Sequence, residues 1–183
     1  MSSKAKPRIL HTELVASSRL FRVEQVHLQF SNGVERVYER MQGGNRGAVM
    51  VVPMLDEHTV LLVKEYAVGT ETYELGFVKG LIDPGESVIE AANRELQEEA
   101  GFCAQTLTPL MEVALAPGYF SSKMQILLAQ GLNPSKLEGD EPEPLELVPW
   151  PIEDLDGLLA RPDFNESRAI SALFLARKAL KLS

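Results

Sequence analysis

Short apolar runs bounded by turn residues make up most of this chain, and three stretches read instead as helices. Residues 21–30 read as a strand, Ser31-Asn32-Gly33 as a tight turn and residues 34–41 as a second strand, so an antiparallel β-hairpin is expected near the start. Residues 1 to about 8 are polar, include Pro7 and are expected to fray. After a glycine-bearing connector (42–46), residues 48–54 and 59–66 are apolar, β-branched strand runs with Asp56-Glu57-His58 as the turn between them. Residues 71–78 lead into a loop broken by Asp83-Pro84-Gly85. A helix should follow, opening at Glu86-Ser87 and closing with Gly101 just past its end. Further strands are expected over 110–115, 124–130 and 145–150. Helices are expected over 152–160 and 166–182, the latter with Ile170, Leu173, Phe174, Arg177 and Leu180 at helical spacing. No internal repeat occurs, and mixed strands with a few helices give an α+β class.

Composition narrows the partners more than the fold. At 183 residues the chain suits one domain with an appendage, and its 45% hydrophobic content is that of an ordinary globular protein. A formal net charge of -8 argues against nucleic acid or an anionic membrane as the main partner. A polyphosphate ligand would therefore need local cations, either metal or Arg and Lys. The single Cys103 excludes an intrachain disulfide. No run approaches the ~18 apolar residues of a membrane span and no apolar signal core opens the chain, so a cytoplasmic location is expected.

The central helix holds the chemistry. Glu95, Glu98 and Glu99 stand at i, i+3 and i+4 and share one face, while Val88, Ala92 and Leu96 lie beside that arc and can pack inward. Like charges at this spacing repel, and acids in a last helical turn meet the negative end of the helix dipole; each effect is worth tenths of a kcal/mol, up to ~1. A solvated acidic face therefore remains open. A bound divalent cation would reverse both penalties, and an oxygen-only set of ligands suits Mg2+ or Mn2+.

The residues from Gly80 to Phe102 resemble the signature of the Nudix hydrolases: Gly80, five residues, Glu86, seven residues, then Arg94-Glu95-Leu96, Glu98-Glu99 and Gly101-Phe102. Phe102 departs mildly, since an aliphatic residue is commoner there. The resemblance implies an α/β/α sandwich with a mixed sheet. It implies Glu95 and Glu99 as metal ligands, Glu98 as ligand or base, and a backbone carbonyl at Lys79 or Gly80 completing the coordination. Glu86 and Arg94 are implied to form a structural ion pair. Pro117, sixteen residues after Gly101, marks by resemblance the branch acting on ADP-ribose and related ADP-sugars; its other reading is a turn with Gly118. In that branch a Glu of a mobile acidic loop serves as, or beside, the general base. Residues 137–147 (LEGDEPEPLEL) match that loop, with Glu141 and Glu143 as candidates, against a plain solvated loop as the other reading.

A wider likeness covers most of the chain. YAVGTETYELGF, KGLIDPGES, EAANREL, YFSSKM and LEGDEPEPL are similar to bacterial ADP compounds hydrolases of NudE type. This implies Mg2+-dependent cleavage of ADP-ribose, NADH and diadenosine di- and triphosphates, giving AMP and a phosphorylated remainder. It also implies a homodimer in which the N-terminal hairpin (1–45) pairs two subunits and helps hold adenine, with the hydrolase domain over 46–183. One departure favours broad ADP specificity: Lys64-Glu65-Tyr66-Ala67 lacks the Arg that many ADP-ribose pyrophosphatases carry after the second core strand. By position Arg40, Lys64, Tyr66, Glu74 and Lys123 are candidate substrate contacts, with an ordinary rim position as the alternative for each. Two rival functions remain: a GDP-sugar or other sugar-nucleotide hydrolase, and a Nudix-fold sensor that binds a nucleotide without cleaving it.

Overall fold

A computed structural model describes residues 5–43 and 46–182, and the chain divides into two compact units. Residues 1–4 of the fraying segment and 44–45 of the connector lie outside the described residues.

The smaller unit comprises residues 5–43 with Ala114–Ser122. Its sheet has three antiparallel strands in the order β1 (Arg8–Ser17), β2 (Arg22–Gln29), β3 (Glu35–Met41). The expected hairpin is β2–β3, closed by Gly33 at φ 82° and by Asn32 Oδ1, which accepts from Val34 N at 3.2 Å. Strand β1 adds to it and was not legible. Its register against β2 slips between Ile9 and His11 and again between Leu14 and Ala16, which breaks the period-2 pattern, and all ten residues are exposed. Ile9, Leu14, Val15, Val37 and Tyr38 leave an apolar surface uncovered on this sheet. The 114–122 loop joins the unit through Met41 N, which donates to Tyr119 O.

The larger unit spans Arg46–Val113 and 123–182. A mixed four-stranded sheet runs β7 (Val78–Leu81), β4 (Ala48–Pro53), β9 (Lys123–Pro134), β8 (Phe102–Ala114); β4 is parallel to β9 and antiparallel to β7. An antiparallel sheet runs β10 (Glu146–Pro151), β5 (Thr59–Ala67), β6 (Thr72–Gly76). Every residue of β4 from Val49 to Pro53 is buried, as befits a strand covered on both faces. Val49 and Val51 pack with Ala91, Ala92 and Leu96 of the central helix, while Met50 lines a hollow with Ala169 of the last helix. Because successive side chains alternate faces, these two helices cover opposite sides of the sheet, the sandwich the resemblance implied.

Several boundaries differ from expectation for local reasons. Strand β8 begins at Phe102 rather than 110. It is an edge strand and so tolerates Pro109, which hid its length. Helix α2 (Leu155–Leu159) is shorter than 152–160 because Asp154 caps it, Oδ1 accepting from Gly157 N. Helix α3 (Ser167–Ala179) starts after Glu166, whose carboxylate accepts from Arg168 N and Ala169 N, and ends before Lys181 at φ 59°. Within α3, Ala169, Ala172, Leu173, Ala176 and Arg177 are the buried positions, whereas Phe174 is exposed.

Candidate active site

The central helix begins where its sequence says it should. Ser87 Oγ accepts from Glu90 N while the Glu90 carboxylate accepts from Ser87 N, a reciprocal cap that fixes the first turn of α1 (Val88–Glu95). Instead of continuing as regular α-helix to Gly101, the chain widens into a π-helical turn over Leu96–Ala100, and Gly101 closes it at φ 77°. Such turns cluster at functional sites. Leu96 and Ala100 face the core, and Glu99 is carried inward with them to 7% exposure.

Arg94 organises the acids. Its Nε and Nη2 hold Glu86 at 2.9 and 3.0 Å, Nη2 also donates to Leu81 O at 2.9 Å, and Nη1 reaches Glu95 and Glu98, each at 2.8 Å. Glu86 returns to the loop by accepting from Asp83 N at 3.0 Å. The expected Glu86–Arg94 pair is thus bidentate and ties the loop to the helix. Hydrogen bonding from Arg94 holds the Glu86 carboxyl below its usual range and raises the Arg94 guanidinium further.

Two carboxyls are pushed the other way. Burial raises Glu95, against the opposing pull of Arg94. Burial also pushes Glu99 up to about 8, although the Lys79 ammonium pulls it down and Lys79 N donates to its Oε2 at 3.3 Å. Gly80 lies directly under Glu95: a Cβ there would overlap both carboxylate oxygens. This is the close approach that only glycine permits.

The acidic loop is pinned beside these groups. Lys136 Nζ donates to Glu98 O, Ser135 Oγ pairs with Gln97 Oε1 at 2.8 Å, and Leu137 N donates to Gln97 O. These bonds bring Glu138, Asp140 and Glu141 to the rim of a cleft of about 760 Å³. Glu141 is near enough to Glu95 to raise it further. Glu143 also lines the cleft, but its carboxylate is held by Tyr73 Oη at 2.5 Å, and Tyr73 packs edge-on against Tyr66.

Of the residues expected at the site, Gly80, Arg94, Glu95, Glu98, Glu99, Glu141, Glu143 and Tyr66 converge on this cleft. Others do not. Lys64 pairs with Asp163 at 3.2 Å, Glu74 accepts from Asn165 at 3.3 Å and lines a hollow that adjoins the cleft at Glu65, Tyr66 and Lys79, and Lys123 bridges to Glu112 at 2.5 Å on the surface. Arg40 and Pro117 belong to the smaller unit, where both line a hollow of about 320 Å³ with Phe30, Tyr38 and Tyr119. Sequence reasoning missed Arg46, Glu65 and the side chain of Lys79, which line the cleft. For Lys79 the signal was the alternation in β7, where Val78 is fully buried and its neighbour must point the other way.

The donor set fits a hard divalent cation: carboxylate and carbonyl oxygens only, including a buried carboxylate whose charge burial alone disfavours. Among the described residues no three acidic side chains meet on one point as they stand. Arg94 Nη1 bonds both Glu95 and Glu98, and Glu99 accepts from the Lys79 backbone.

A carboxylate cleft built on a Gly80–Phe102 loop-and-helix, flanked by a mixed sheet, is the architecture of a Nudix hydrolase. Residues 44–174 match the NUDIX domain family, and residues 7–40 match the NudE-type Nudix hydrolase N-terminal domain. The chain belongs to the Nudix family, whose members act on phosphoanhydride bonds.

Within that family it is 64% identical over 179 residues to ADP compounds hydrolase NudE of Escherichia coli (strain K12), covering 98% of this chain and 96% of that one. It is 29% identical over 129 residues to ADP-ribose pyrophosphatase of Bacillus subtilis (strain 168), covering 69% of this chain and 70% of that one. A crystal structure of ADP compounds hydrolase superposes with a TM-score of 0.94 at 64% identity, covering 99% of this chain and 97% of the other.

Proposed function

We propose that this protein hydrolyses the diphosphate bond of compounds in which ADP carries a second group (ADP-ribose, NADH, diadenosine di- and triphosphates), releasing AMP and a phosphorylated remainder. The observation that carries this reading is 64% identity, sustained over nearly the whole chain, to an ADP compounds hydrolase. Water's oxygen bonds to one phosphorus, the bridging oxygen leaves with the other, and water's proton passes to a base. Glu95, Glu99, Glu98 and the Gly80 carbonyl would hold Mg2+, which would supply charge neutralisation and a more acidic water; Mn2+ would suit the same oxygens. Arg94 and Glu86 keep the acids in place. Glu141 is the better base, because it lies free at the cleft beside Glu95 whereas Glu143 is engaged by Tyr73. Tyr66, in the cleft wall, is a substrate contact.

The exposed apolar side chains of the N-terminal sheet fit a homodimer arm made by residues 1–45, with 46–183 as the hydrolase domain. No helix among the described residues is long and apolar enough to cross a membrane. The expected cytoplasmic location remains part of this proposal.

Product analysis on ADP-ribose, NADH, diadenosine triphosphate and a GDP-sugar, with and without Mg2+, tests the reading. AMP release that requires Mg2+ supports it. Preferential GMP release would point to a sugar-nucleotide hydrolase, and tight binding without products to a sensor.

A further inference from the structure

The cleft carries nine carboxylates against three cations, so a diphosphate entering it needs every cation available. All three have partners. Arg94 serves three carboxylates and a carbonyl, and Arg46 stands at the exposed mouth, 3.7 Å from Asp83. The third is Lys79, on β7, whose ammonium pairs with Glu65 of β5. Both partners are part-exposed, 33% and 41%, so the pair contributes little to stability. Its position is more informative. Lys79 and Glu65 line both the carboxylate cleft and the adjoining hollow of about 230 Å³, which is walled by Tyr66, Phe77 and Arg168. A cation at that junction sits where a phosphate in the cleft would join a substituent in the hollow.

We propose that Lys79 is a catalytic residue that binds one phosphate of the diphosphate, and that Glu65 is the positioning residue that holds the ammonium at the junction until substrate arrives. Its ammonium donates hydrogen bonds to non-bridging oxygens as the P–O bridge breaks and negative charge gathers on the departing phosphate. The group carried by that phosphate enters the hollow beside Tyr66 and Phe77. This rests on the diphosphate-hydrolase reading and adds to it a named residue and a second subsite.

The test uses the full chain with Lys79→Met, Lys79→Arg and Glu65→Gln. The backbone contact from Lys79 N to Glu99 is kept in all three. Lys79→Met is expected to lower kcat/KM for ADP-ribose by about 100-fold, with Lys79→Arg recovering about 10-fold of that. Inhibition by AMP or by ribose 5-phosphate should weaken about 10-fold in Lys79→Met, and the product affected identifies the phosphate bound. Mn2+ affinity, read by electron paramagnetic resonance, should stay within about threefold of wild type, and Glu65→Gln should raise KM more than it lowers kcat. Turnover and both inhibition constants within about threefold of wild type in Lys79→Met would overturn the proposal, as would a loss of Mn2+ affinity large enough to account for the lost activity. Failure of the wild-type protein to cleave ADP-ribose would instead sink the functional reading itself.

Discussion

Replacing Gly80 by alanine tests whether the geometry of the acids, rather than their mere presence, sets the rate. Gly80 sits in β7 opposite Val49 with an ordinary negative φ, so the backbone accepts alanine there without strain. The added methyl, however, would overlap both oxygens of Glu95, far inside the 3.4 Å of an ordinary contact. The strand is the fixed partner and the carboxylate the movable one, so Glu95 must shift by roughly 1–1.5 Å, a displacement that costs about 100-fold in an oriented site. In free energy that is ~2.7 kcal/mol of lost transition-state stabilisation. Stability moves much less. Alanine gains about 0.4–1 kcal/mol by restricting the unfolded chain, offset by a weakened Arg94–Glu95 contact, so Tm should stay within roughly 4 °C. The assay is kcat/KM for ADP-ribose across a Mg2+ titration, beside thermal unfolding of the same preparation. A Gly80→Ala variant that keeps turnover and Mg2+ dependence within about threefold of wild type would refute the placement of Glu95.

Three further outcomes are expected. Glu99→Gln should abolish turnover by at least about 10³-fold while leaving the metal-free fold intact. Because burial raises the Glu99 carboxyl, the metal-free wild type should lose stability as pH rises from about 4.5 to about 8, and the Gln variant should lose that slope in thermal scans. Glu141→Gln should lower kcat by about 10²–10⁴-fold whereas Glu143→Gln changes it little; the reverse pattern would transfer the base to Glu143. Asp163, held below the usual carboxylate range first by Arg161 and then by Lys64, contributes stability above that range that disappears as pH falls through it. Asp163→Asn should therefore flatten the acid limb of the stability curve, measured by urea unfolding from about pH 5 down to about pH 2.

The loop and helix from Gly80 to Gly101 were legible because their determinants are local. Asp83-Pro84-Gly85 forces the turn, Ser87 and Glu90 cap one end, and Gly101 accepts the left-handed conformation at the other. The core strands β4 and β5 were legible for a similar reason, since unbroken apolar runs have few other fates. Strand β1 was not, because bulges broke its alternation and burial gave it no pattern to display. Among the site residues, Glu95, Glu98 and Glu99 announced themselves by spacing, while Lys64, Glu74 and Lys123 were placed by position along the chain and lie outside the cleft.

Sequence alone determined which residues turn, which cap and which are buried in β4 and β5, since each follows from neighbours within about four positions. Tertiary structure decided the rest: that Lys136 and Ser135 pin the acidic loop beside α1, that Tyr73 engages Glu143 while Glu141 stays free, and that Lys79 meets Glu65 across two strands. Those pairings join residues 14 to 70 positions apart, and their partners are chosen by sheet register and packing, which no short window of sequence encodes.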